Sequence, residues 1–113
     1  MKVAITEVYD LLYSLGLTPD RTSFFHTAYA VFLCVEQQER LLLVTKWLYP
    51  EVASHYRTTW HAVERNIRRS VEEVWLNHRS QLEKVAGAPI ERKPRPAQFL
   101  GILTASLLRG KAA

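Results

Sequence analysis

The chain has 113 residues and a mass of 13.1 kDa, with 15 Lys+Arg against 11 Asp+Glu for a net charge of +4. That length suits one domain with one core, and 48% hydrophobic with 23% charged residues excludes a disordered basic tail. A lone cysteine, Cys34, excludes an intramolecular disulfide framework and a cysteine-based zinc site, while the mild basic excess fits nucleic acid, an acidic partner or a membrane surface without choosing among them.

Helical periodicity runs through the sequence. Ile5, Val8, Leu12 and Leu15 recur at three- and four-residue steps and predict a first amphipathic helix, closed by Gly16 and stopped by Pro19. A second helix is predicted from about Asp20, as N-cap, to Gln37, with Phe24, Phe25, Ala28, Tyr29, Phe32 and Val35 as a wide apolar stripe. A leucine-rich third segment, Glu39 to Leu48, precedes a short helix from Pro50, at its first position, to Tyr56. The clearest helix covers residues 58–76, capped by Thr58 or Thr59. Another is predicted from Arg79 to Val85, closed by Gly87, and the proline-rich, charged stretch 88–96 reads as a loop. A last helix runs from Ala97 to Leu108. No alternating strand pattern and no internal repeat competes, so the expected fold is all-α: a compact bundle of about six helices in one domain, 1–113.

Glu7 and Asp10 interrupt any signal-peptide-like start. The longest uncharged apolar stretch, Thr22 to Val35, has 14 residues, against the ~18 of a membrane span. The expectation is a cytoplasmic protein without membrane contact.

The charge is unevenly placed. At 100° per residue from Val63, Trp60, Ile67, Val71 and Val74 fall within about 80° of one another, while His61, Glu64, Arg65, Arg68 and Arg69 fall between about 100° and 240°. Residues 57–69 hold Arg57, Arg65, Arg68, Arg69 and Glu64, a net of +3, and the remainder holds 11 basic and 10 acidic groups. A basic helix face is by itself an ordinary solvated surface. Here, however, a helix at Pro50–Tyr56 joins it through a two- or three-residue turn, the spacing of a helix-turn-helix, with small Ala53 where two helices would approach. In that motif the N-terminal half of the second helix faces base edges in the major groove. Arg can fork to guanine O6 and N7 and Glu can accept from cytosine N4. His61, Glu64, Arg65, Arg68 and Arg69 are therefore the candidate base-reading residues, and Arg57, Thr58 and Thr59 the candidate phosphate contacts.

Enzyme readings find little. His61 and Glu64 lack a second histidine at zinc-ligand spacing, and His26, His55 and His78 are scattered. No phosphate-cradling glycine loop is present, and no cofactor or metal is expected. Cys34 reads as a small core residue, as Trp47, Trp60 and Trp75 read as core aromatics. The Arg92-Lys93-Arg95 cluster reads as a solvated loop.

The run Lys46 to Tyr56, followed by Thr58-Thr59, Val63-Glu64-Arg65, Ile67-Arg68 and Trp75, resembles the C-terminal effector domain of the sporulation initiation response regulator (stage zero sporulation protein A) family. Ile5 through Pro19, Lys93-Pro94 and Phe99 extend the similarity over nearly the whole chain. The resemblance implies a six-helix DNA-binding domain with its helix-turn-helix at about 50–76. It also implies recognition of a short G/C-containing box in tandem head-to-tail copies, with a homodimer on those sites, and contact with the RNA polymerase sigma factor near Asn77 to Lys84. Glu64, Arg65 and Arg68 match the family's groove-facing residues. His61, Ala62 and Arg69 stand where the family pattern has Ser, Arg and His. An arginine lost at Ala62 removes a guanine contact worth about 1–3 kcal/mol of discrimination, so an altered specificity is expected. The full-length family protein carries a phosphoacceptor receiver domain. With two aspartates, Asp10 and Asp20, and no strands, this chain is expected to hold none, so receiver phosphorylation is not its switch. The competing reading is a protein-interaction module that keeps the effector fold and modulates another regulator without binding DNA.

Overall fold

The first apolar stripe folds as α1 (Ile5–Ser14), which buries Val8 and Leu12 and continues into buried Leu15. Glu7 accepts a hydrogen bond from the Ala4 N–H at 2.7 Å, satisfying one free donor of the first turn. The helix closes with Gly16 at φ +82° and the Leu17 N–H returning to the Leu12 carbonyl at 3.0 Å. Gly16 is required twice over. Its φ is left-handed, and a Cβ there would lie 2.1 Å from the His78 ring.

The structure is a computed structural model and describes residues 2–112. Its helices continue with α2 (Thr22–Glu36), α3 (Tyr49–Tyr56), α4 (Trp60–Asn77), α5 (Arg79–Ala86) and α6 (Pro96–Ala112). No strand occurs among the described residues, so the fold is the all-α, six-helix bundle expected. α2 is the central element, buried along much of its length and packed most extensively on α4 and α6. The core gathers Phe24, Leu48, Tyr49, Ile67, Phe99 and Leu103 within dimensions of 34 × 33 × 26 Å.

Several local expectations are corrected. Helix α2 starts at Thr22 behind Arg21, so Asp20 does not cap it. Its carboxylate instead accepts from the Thr18 hydroxyl at 2.6 Å, which holds the Asp20 pKa below the usual range. The leucine-rich third segment is a 3₁₀ turn, Gln38–Leu42, followed by a π-helical turn, Val44–Leu48. Arg40 makes contacts across this segment. Its guanidinium forks onto Glu51 of α3, at 2.7 and 3.2 Å, and donates to the Leu33 carbonyl at 2.8 Å, which one continuous helix would not bring together. The tryptophans are half-buried rather than core. Trp60 rests on the core edge, while Trp47 and Trp75 lie under the guanidinium groups of Arg40 and Arg79 at 5.2 and 4.2 Å.

Candidate nucleic-acid interface

Helix α4 is built to present a fixed outer face. Val63, Ile67, Val71 and Val74 are buried, at no more than 3% exposure, and seat its inner stripe against α2 and α6. Within that seat the Ser70 and Thr27 hydroxyls bond at 2.7 Å, and no buried side-chain polar atom among the described residues lacks a partner. Thr59 caps the helix, its hydroxyl oxygen accepting from the Ala62 N–H at 3.1 Å. Between the two Thr candidates for this role, the structure selects Thr59.

The turn from α3 to α4 is Arg57-Thr58-Thr59, as helix-turn-helix spacing requires. Arg57 adopts φ 55°, ψ 50°, and the Thr58 N–H returns to the Ala53 carbonyl at 2.9 Å. This closes α3 with a left-handed residue that is normally glycine. Ala53 is buried, and α3 packs against α4.

The eight candidate residues fall on one surface. His61, Arg65, Arg68 and Arg69 are exposed along α4, Glu64 is half-buried beside them, and Arg57, Thr58 and Thr59 are exposed at its N-terminal approach. His61 stacks on Trp60 with ring centroids 3.7 Å apart. Glu64 sits 3.8 Å from Arg68 in a loose i,i+4 ion pair, and no ion pair engages Arg57, Arg65 or Arg69 among the described residues. Four cations with one loose internal partner form a surface that attracts polyanions.

Grooves flank α4 on both sides. One, of about 560 Å³, has Arg65, Asn66 and Arg69 on one wall and Arg21 and Thr58 on the other. At its base His26 is buried, its Nδ1 accepting from the Asn66 amide at 3.0 Å, and burial lowers its pKa. The second, of about 510 Å³, is lined by Glu64, Arg68 and Glu72 and, opposite, by Lys93 to Ala97. Beneath it the buried Tyr49 hydroxyl is pushed up to about 12, chiefly by desolvation and next by the nearby Glu64. Sequence reasoning missed Arg21 altogether, because one arginine before a helix carries no local signal. It noticed Lys93 and Arg95 but had no means of placing them beside Arg68.

Cys34 is buried, its thiol pushed up to about 12 by desolvation, which leaves it protonated and unreactive near neutral pH. No group of three or more metal-ligating side chains occurs among the described residues, and none of their helices is long and apolar enough to cross a membrane.

A family model described as sporulation initiation factor Spo0A C terminal matches residues 8–107. The chain belongs to that family, a DNA-binding domain of a sporulation regulator and not an enzyme family.

Proposed function

We propose that this member of the Spo0A C-terminal family is a sequence-specific, double-stranded DNA-binding transcription regulator whose helix α4 enters the major groove. The observation that carries the reading is the pairing of a buried inner stripe with an outer face of exposed, nearly unpartnered arginines. The seat holds the helix rigid, and the outer face supplies bidentate donors for guanine. Arg65 and Arg68 take guanine edges, Glu64 orients Arg68 or accepts from cytosine, and His61 and Arg69 contact the ends of the box. Arg57 and Thr58 hold phosphates. Thr59 accepts the cap hydrogen bond on its oxygen and keeps its O–H to donate to a phosphate.

The chain acts as one effector domain, with α3 and α4 as the helix-turn-helix. Two copies sit head-to-tail on tandem boxes, and α5, covering most of residues 77–84, faces the sigma factor of RNA polymerase; this places its action in the cytoplasm. Selection from a randomised duplex pool tests the reading and reads the base preference together. An enriched G/C-containing box is expected, shifted from the family pattern where Ala62 replaces arginine. One observation favours the rival interaction module: Ala62, at the edge of the outer face beside Arg69, offers no donor where the family pattern has arginine. Complete failure to bind any duplex at low salt, with the fold intact, would overturn the DNA-binding reading in favour of that rival.

A further inference from the structure

The loop between α5 and α6 forms the far wall of the 510 Å³ groove that runs beside Glu64 and Arg68. It is held in place at three points. Lys93 Nζ pairs with Glu72 of α4 at 2.5 Å, Pro94 is buried, and the Arg95 N–H donates to Gln98 Oε1 at 2.9 Å at the start of α6. Lys93 is thus occupied by an anchoring contact. Arg92 and Arg95 differ: both side chains are exposed, and neither makes an ion pair or side-chain hydrogen bond among the described residues.

A helix lying in the major groove, ~12 Å wide, nearly fills it and is flanked on each side by a phosphate backbone. Arg95 lines the groove across from that helix and so faces phosphates and not base edges, and Arg92 stands three positions before it on the same anchored loop. We propose that Arg92 and Arg95 form a preset phosphate clamp on the strand that borders α4 on its Glu64–Arg68 side. Lys93 is a positioning residue that ties the clamp to α4 through Glu72. Arginine suits the task because its planar fork matches two phosphate oxygens. The inference rests on the proposed insertion of α4 into the major groove.

The test is duplex binding by the full chain, on a box obtained from selection, across a salt series. Each phosphate contact contributes about 0.9 to the slope of log K against log salt. Replacing both residues, Arg92→Ala with Arg95→Ala, is expected to lower the slope by about 1.8 and to weaken binding about 60-fold at 0.1 M salt, with base preference unchanged. The double Arg→Lys variant should retain most of the slope. Lys2→Ala, at an exposed site beside Phe32, Glu36 and Leu108, should leave it unaltered. A double alanine variant with the parent slope overturns the clamp, as does a change in which bases are preferred. If the parent itself binds no duplex, the insertion of α4 fails and the clamp falls with it.

Discussion

Two sets of arginines in this small protein behave in opposite ways. The Arg40 side chain is 11% exposed and spends its donors on Glu51 and the Leu33 carbonyl, with Trp47 beneath it. Arg57, Arg65, Arg68 and Arg69 stand in solvent, and a single loose contact at 3.8 Å involves any of them with a carboxylate. The same side chain is a rivet in one place and an unspent valence in the other. What separates them is the presence of an acidic partner in reach, and that is decided by tertiary packing.

The contrast can be broken or sharpened by substitution. Arg40→Ala should show the largest stability effect, about 2–3 kcal/mol, because it leaves the half-buried Glu51 and a buried carbonyl short of partners. A thermal-melt loss of roughly 10 °C is expected, and an unchanged melt would remove the distinction. Arg65→Ala should do the reverse, leaving the melt unaltered while costing about 2 kcal/mol of discrimination between matched and mismatched boxes. Thr59→Ala should cost about 1 kcal/mol of stability through the lost cap, read in denaturant unfolding. Arg57→Gly should change stability by less than about 1 kcal/mol, since relief of the left-handed backbone offsets added chain entropy. It should nevertheless weaken binding to all duplexes alike, which competition assays would show. The smallest effect concerns pH. His26 has a lowered pKa in the folded state, so the unfolded chain binds its proton more readily. Its contribution to stability is present above about 6.5, the ordinary histidine value, and is lost as pH falls through the folded value. His26→Gln should flatten that acid limb in melts between pH 7 and 5.

The fold was largely legible because apolar spacing alone dictates which helix faces are buried. The stripe Val63, Ile67, Val71 and Val74 could be placed on a wheel and is buried as drawn, while of the eight candidate residues seven are exposed and Glu64 is half-buried. The failures share a cause. Asp20 has the chemistry of an N-cap, but a neighbouring threonine hydroxyl claims it. Trp47 has the bulk of a core residue, yet it supports an arginine. Arg40 meets Glu51 across the split of residues 38–48, and Lys93 meets Glu72 from 21 positions away. Such pairings leave no periodic trace in the chain.

The buried contact between Thr27 and Ser70 has a consequence for aim. Valine and isoleucine stripes make a helix adhere to its seat, but greasy contacts discriminate poorly among small rotations about the axis. A directional bond between two hydroxyls does not tolerate such rotation. Successive residues lie about 100° apart around an α-helix, so a modest roll would turn Arg65 and Arg68 away from the bearing that the proposed base contacts require. The two hydroxyls, buried between α2 and α4, act as the index pin of a dial. Removing both, by Thr27→Val with Ser70→Ala, would leave a folded protein whose arginines no longer point to one bearing.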